Sequence, residues 1–169
     1  MRKLIILKSL IDFVWILTCI PGILICLFLA VYMFVAPESL NLFLDADDSI
    51  IETSVLSVQL FGLVFIALAL VTIYCVYLFR KTLRYFQKVK PFHADVIAHF
   101  YKIGYLLTGV GIIASVLIFI GQLVFKGVFK INLGLSPYIM LICLGLFFMV
   151  LSEVFKVAKY AKEENDLTV

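Results

Sequence analysis

The chain has 169 residues, of which 64% are hydrophobic and 15% charged, and its mean hydropathy is +1.17. Soluble domains contain about 45–50% apolar and about 25% charged residues, so a water-soluble fold of this length could not cover its apolar surface. The net charge of +3 is small, and the basic residues flank apolar runs, which argues against a nucleic-acid-binding face. We therefore predict one integral membrane domain, with a lipid bilayer as its solvent and no direct contact with nucleic acid.

The first apolar segment carries no charge from residue 13 to residue 35 and predicts a span over about 11–35. A hydrocarbon core of about 30 Å needs about 20 helical residues. The segment exceeds the apolar part of a signal peptide and has no small-residue cleavage motif after it, which favours an uncleaved span. Pro21 is expected to bend this helix, because its ring removes a backbone hydrogen bond.

The second and third spans are predicted over residues 55–79 and 101–125, with a cytoplasmic loop of residues 80–100 between them. The second helix is expected to continue to about Gln87. Pro91 is expected to open an interfacial helix that leads into the third span, because proline suits a first helical turn. The two histidines that follow lie six residues apart and share no helix face, so no metal site is predicted.

The fourth span is predicted over residues 137–157, with Pro137 in its first turn. Residues 36–54 and 126–136 then form the external loops, and residues 158–169 form a cytoplasmic tail.

The distribution of basic residues predicts the orientation. Of the 14 lysines and arginines, all but Lys126 and Lys130 fall on one side of the predicted membrane. Because cytoplasmic segments carry the excess of lysine and arginine, both termini and the middle loop are placed in the cytoplasm. The predicted fold is an all-α, integral membrane four-helix bundle with an interfacial cytoplasmic helix before the third span.

Two acidic residues, Asp12 and Glu153, fall near the cytoplasmic boundaries of the first and fourth spans. Ionisable residues within a span are costly and are candidates for function. At the boundary, however, we expect them to pair with nearby cations. The candidate partners are Lys8, Arg80 and Lys156.

The third span carries small residues at helical spacing, among them Gly111 and Ser115. Small residues let helices approach closely, so we expect packing within the bundle, with a homo-oligomer contact as the alternative. Motifs for a catalytic triad, a phosphate-binding loop or a zinc protease are missing from the sequence, and the cysteines form no metal-binding pair. We therefore predict a protein that is not an enzyme and has no cofactor.

Two segments resemble a known family. Residues 90–96 read KPFHADV and are followed at 101–104 by YKIG, while EVF at 153–155 precedes a terminal EENDLTV. With four spans, these segments are similar to the bacterial membrane family catalogued as domain of unknown function 2975. His93 stands where that family usually has serine or threonine. The resemblance implies a bacterial plasma-membrane protein of no established activity, often encoded beside a small helix-turn-helix DNA-binding regulator.

We therefore predict a regulatory or sensor protein that acts with such a regulator. A small transporter or channel subunit and a structural or immunity-type membrane protein are the alternatives. The tail either binds a partner, docks on the middle loop or is disordered. The candidate loop motif consists of Pro91, Phe92, Asp95 and Gly104. The candidate partner-binding residues are Glu163, Glu164, Asn165, Asp166, Leu167, Thr168 and Val169.

Overall fold

The computed structural model describes residues 2–35, 55–88, 92–126 and 136–167. The predicted loop 36–54 lies outside the described residues, as do residues 127–135 of the second external loop. Pro91, Thr168 and Val169 are also outside them.

Helices make up nearly all of the described chain. Four stretches are long and apolar enough to span a membrane, which confirms the prediction of an all-α chain with four candidate spans. These stretches are Lys8–Val35, Gln59–Gln87, Ala94–Leu123 and Pro137–Asn165. The elements in chain order are α1 (Arg2–Val14), a π-helical turn (Trp15–Cys19), α2 (Ile20–Val35), α3 (Val55–Gln87), α4 (Ala94–Lys126) and α5 (Pro137–Leu167).

The first candidate span is interrupted by the π-helical turn directly before Pro21. The Ile20 N–H donates to the Trp15 carbonyl oxygen, five residues back, while Val14 and Ile20 keep right-handed helical angles on either side. A proline ring crowds the carbonyl of the preceding turn, and a wider π-helical turn relieves that crowding. The disturbance predicted from Pro21 therefore takes the form of one wide turn in an otherwise continuous helix.

Most of the predicted middle loop is helical. α3 ends at Gln87, as the sequence predicted, and α4 begins at Ala94. The helix predicted before the third span is the first part of α4, which runs without a break into the apolar segment. α5 begins at Pro137 as expected, and Ser136 caps it by accepting a hydrogen bond from the Ile139 N–H at 3.4 Å.

The best-packed part of the bundle lies among α3, α4 and α5. A buried cluster joins Cys75 and Leu78 of α3 to Ile103 and Leu107 of α4. By contrast, α2 exposes large apolar side chains on most of its surface, with Phe28 65% exposed. Such exposure is compatible with lipid, not water, as the surrounding medium.

Glycines bring α4 and α5 into close contact. A Cβ atom added at Gly104 would lie 2.6 Å from the Gly145 carbonyl oxygen and 2.8 Å from the Met149 nitrogen. One added at Gly111 would lie 2.8 Å from the Tyr138 carbonyl oxygen. Because these neighbours are backbone atoms, Gly104 and Gly111 allow α4 to approach α5 closely within this chain.

Candidate functional site

The end of the bundle where α3 leads to α4 contains several buried side chains. This α3–α4 end comprises residues 80–88 and 92–100 and the facing part of α5, residues 148–165. Its core includes Thr82 and Val96, which are both 0% exposed. The Ser152 hydroxyl, which is also buried, donates to the Ile97 carbonyl oxygen at 2.9 Å and ties α5 to α4.

Phenylalanine rings from three segments meet around Phe155 of α5. The Phe155 ring centroid lies 5.5 Å from that of Phe100, 5.6 Å from that of Phe86 and 6.1 Å from that of Phe92. Phe100 in turn stacks on Phe148 at 5.9 Å. Aromatic pairs at these distances contribute about 0.5–1.5 kcal/mol each beyond the area that they bury. This phenylalanine cluster therefore stabilises the α3–α4 end.

The contact between Phe92 and Phe155 joins the two segments on which the family resemblance rests. Phe92 belongs to the KPFHADV segment, and Phe155 ends the EVF segment of the last helix. The other loop candidates have separate roles, because Asp95 bonds to Tyr85 and Gly104 packs on α5. The candidate loop residues are therefore distributed over three contacts.

His93 caps the start of α4. Its Nδ1 atom accepts a hydrogen bond from the Asp95 backbone N–H at 3.2 Å, and its carbonyl oxygen accepts one from Val96 at 3.0 Å. The same Nδ1 atom lies 3.3 Å from Asp95 Oδ2, so it accepts from the backbone N–H without a proton and donates to the carboxylate with one. Serine and threonine are good N-cap residues, which gives a physical reason why His93 can stand where the resemblance implies one of them.

Tyr85 ties the end of α3 to this cap. The Tyr85 hydroxyl donates to Asp95 Oδ2 at 2.6 Å, and its ring stacks on the His93 ring at a centroid distance of 5.1 Å. The ring centroid of His99, which lies further along α4, is 6.2 Å from that of Tyr85. His99 Nδ1 is buried and has no hydrogen-bond partner within the described part of the chain. The described residues form no group of three metal-ligating side chains.

Both boundary acids form ion pairs. Asp12 of α1 bonds to the Nε atom of Arg80 on α3, one of the three cations considered as partners for the two acids. The two side chains are 28% and 22% exposed, so the pair is partly shielded. Glu153 lies 3.6 Å from the Lys156 ammonium nitrogen, one turn along α5, and both side chains are more exposed. The Asp12 pair therefore joins two helices, whereas the Glu153 pair is local.

The tail is a helical continuation of the fourth span as far as Leu167. Glu163, Glu164 and Asn165 are exposed, and Glu163 pairs with Lys159 one turn earlier, at 3.6 Å between Oε1 and Nζ. Thr168 and Val169, the last two candidate residues, lie outside the described residues.

Polar side chains inside the candidate spans mostly bond to backbone carbonyls of their own helix. Thr72 donates to Leu68, and Ser115 donates to Gly111. Such bonds satisfy a polar group within its own helix.

The sequence analysis missed the phenylalanine cluster. A signal for it was present, because Phe79 and Phe86 of α3 lie seven residues apart, and so do Phe148 and Phe155 of α5. Residues seven apart share one face of a helix. The apolar composition of the spans concealed this pattern, since almost every face of these helices carries large apolar residues.

Comparison with known proteins identifies one family. The sequence profile of a family described as "Protein of unknown function (DUF2975)" matches residues 12–169, nearly the whole chain. The matched region contains both segments on which the resemblance rested. No curated protein and no solved structure is significantly similar to the chain.

Proposed function

The chain belongs to the DUF2975 family of proteins of unknown function, and we propose that it is a regulatory protein of the bacterial plasma membrane that acts through its α3–α4 end. Both termini and the α3–α4 end face the cytoplasm. In this role it binds a small cytoplasmic helix-turn-helix regulator and performs no catalysis itself.

The positions of the basic residues support this orientation. In the predicted topology, all lysines and arginines except Lys126 and Lys130 fall on the side of the segment 80–100. The length of α5 agrees with a cytoplasmic extension of this helix. α5 has 31 residues, whereas a span needs about 20, so about 15 Å of helix extends past the membrane. The first part of α4 lies at the membrane interface on the same side.

The observation that carries the proposal is the contact between Phe92 and Phe155, at 6.1 Å between ring centroids. It holds the α3–α4 connection against α5 and fixes the direction in which the last turns of α5 project. A helix held in this way presents its exposed residues, including Glu163 and Glu164, as a preformed surface. Preformed surfaces bind partners at a lower cost in conformational entropy than mobile ones.

Transport is less favoured by the same structure. A transporter or channel subunit needs polar groups along a path through the membrane. In the described spans, Thr72, Thr108 and Ser115 each donate to a carbonyl oxygen of their own helix. These hydroxyl protons are therefore used in hydrogen bonds within each helix.

A pull-down tests the proposal. The full chain in detergent is used to recover the product of the neighbouring regulator gene, and the result is compared with a chain that lacks residues 163–169. We expect the shortened chain to lose the regulator. Glu153→Gln is the matched control for Glu163→Gln, because both glutamates lie on α5, are exposed and pair with a lysine within one turn.

We expect Glu163→Gln to lower recovery and Glu153→Gln to leave it unchanged. Equal recovery with the full and shortened chains would contradict the proposed role of the tail. An alkaline phosphatase reporter that is active when fused after Val169 would place the tail outside the cytoplasm and contradict the orientation.

A further inference from the structure

A band of cations and aromatic rings crosses α3, α4 and the π-helical turn at the level where the apolar segments end. Arg80 directly follows the charge-free run 55–79, and Lys102 directly precedes the charge-free run 103–125. Both cations therefore mark the same boundary from two different helices. Aromatic residues of the band, such as Trp15, are the type that concentrates at the level of lipid headgroups.

The members of the band are in continuous contact. The Lys102 Nζ atom lies 5.3 Å from the Tyr74 ring centroid and donates to the Tyr74 hydroxyl at 3.3 Å. Tyr74 stacks on Tyr77 at 6.3 Å, and Tyr77 lies 5.6 Å from Trp15. The Arg80 guanidinium carbon lies 5.9 Å from the Trp15 ring centroid and completes the band.

The two cations of the band differ in how their charge is balanced. Arg80 bonds to the carboxylate of Asp12. Lys102 is exposed and forms no ion pair with any residue that the structure describes; its contacts are the ring and the hydroxyl of Tyr74. An ammonium group has three N–H donors, and a single phenol oxygen accepts only one of them. Lys102 therefore offers positive charge and hydrogen-bond donors toward the lipid.

The tyrosines make the site accessible to a lipid. Tyr74 is 40% exposed and Tyr77 is 44% exposed, so both rings contribute to the outer surface beside Lys102. Once Lys102 donates to its oxygen, the Tyr74 hydroxyl can direct its own proton to a second acceptor. Basic pockets between membrane helices bind anionic headgroups through this chemistry.

We propose that this band binds the phosphate group of an anionic phospholipid, with Lys102 Nζ and Tyr74 OH as the donors. A phosphatidylglycerol headgroup carries an uncompensated negative charge. A phosphatidylcholine headgroup adds a cationic amine, which Lys102 repels. The site therefore selects phosphatidylglycerol over phosphatidylcholine.

The chain contains one tryptophan, Trp15, and this residue lies within the band. Its fluorescence therefore reports directly on the lipid at the site. The full chain is reconstituted in vesicles that mix phosphatidylcholine with phosphatidylglycerol, where one of the two lipids carries brominated acyl chains that quench tryptophan. The ratio of quenching gives the relative affinity for the two lipids.

We expect wild-type protein to prefer phosphatidylglycerol by about fivefold. The attraction of one basic residue to an anionic membrane surface is about 1 kcal/mol, which corresponds to that factor in affinity. Lys102→Gln is expected to lower the ratio to about 1, and Lys102→Arg to retain it. Tyr74→Phe removes one hydroxyl donor and is expected to lower the ratio about twofold. Lys162→Gln, which removes an exposed cation from the last turns of α5, is the matched control and should leave the ratio unchanged.

A wild-type ratio near 1 would overturn the proposal. So would an equal loss in Lys102→Gln and Lys162→Gln, because that result would indicate general attraction of a basic protein to anionic vesicles. If inorganic phosphate in the buffer abolishes the preference, the site binds a free anion and the lipid assignment is wrong. Both leaflets have the same composition and no regulator is present, so the result does not depend on the proposed orientation or partner.

Discussion

Replacement of Gly145 by alanine tests the close packing of α4 and α5. A Cβ atom at this position would meet the Thr108 side-chain oxygen, and it would lie 2.6 Å from the Thr108 nitrogen and 2.8 Å from the Gly104 carbonyl oxygen. Ordinary contacts of a Cβ atom begin at 3.4 Å. Backbone atoms cannot rotate away, so the two helices must separate. Overpacking of this kind costs about 1–3 kcal/mol.

Gly109 provides the control within the same pair of helices. A Cβ atom added there has no neighbour within 4 Å, so alanine enters open space. Both substitutions gain the same helix propensity, about 1 kcal/mol. Gly109→Ala should therefore be neutral or stabilising, and the difference between the two variants isolates the cost of the contact, about 1–3 kcal/mol.

Thermal unfolding in detergent measures this difference through a thiol-reactive fluorophore. Cys75 is 3% exposed in the core and reacts only when the bundle opens, whereas Cys26 and Cys143 are more accessible and are first replaced by serine to lower the background. For a chain of this size, the difference in free energy corresponds to a difference in Tm of about 2–12 °C. Equal Tm values for Gly145→Ala and Gly109→Ala would refute the close contact.

Three further predictions are tested by the same unfolding assay. Phe155→Ala should lower stability by up to about 3 kcal/mol, because the half-buried ring contacts three others, whereas Phe147→Ala, which removes an exposed ring, should cost much less. His93→Ala should lower stability by about 1 kcal/mol through loss of the helix cap, and His93→Ser should restore it; equal stability of both variants would rule out the capping role. Asp12→Asn and Arg80→Gln should show a coupling energy of about 1 kcal/mol in a double-mutant cycle, and strictly additive effects would contradict their pairing.

The sequence predicted four apolar spans because span length depends on local chemistry, whereas the helices extend beyond the predicted spans, with α1 beginning at Arg2 and α5 ending at Leu167. Charge-free runs of sufficient length mark the spans, and Pro137 marks the start of α5. The end of α3 at Gln87 was also predicted, since the following basic segment leads to a proline. The family resemblance rested on short local segments and is confirmed by the match over residues 12–169.

The contacts between helices could not be predicted in the same way. The sequence analysis offered three cations as partners for Asp12 and Glu153 together, and the pairing of Asp12 with Arg80 depends on the rotation and height of α1 against α3. The contact between Phe92 and Phe155 depends likewise on the register of α4 against α5. In a membrane, apolar helix faces have no strong preference between lipid and protein, so hydrophobic periodicity says little about which faces meet.

The π-helical turn determines which side of α1 meets α3. It adds one residue to a helical turn, and each residue of an α-helix advances the chain by about 100° around the axis. Removing one residue from Trp15–Cys19 would restore regular α-helical geometry. It would also rotate α1, which contains Asp12, by about 100° around the helix axis. Whether Asp12 faces Arg80 thus depends on a π-helical turn that lies several residues away, beside Pro21.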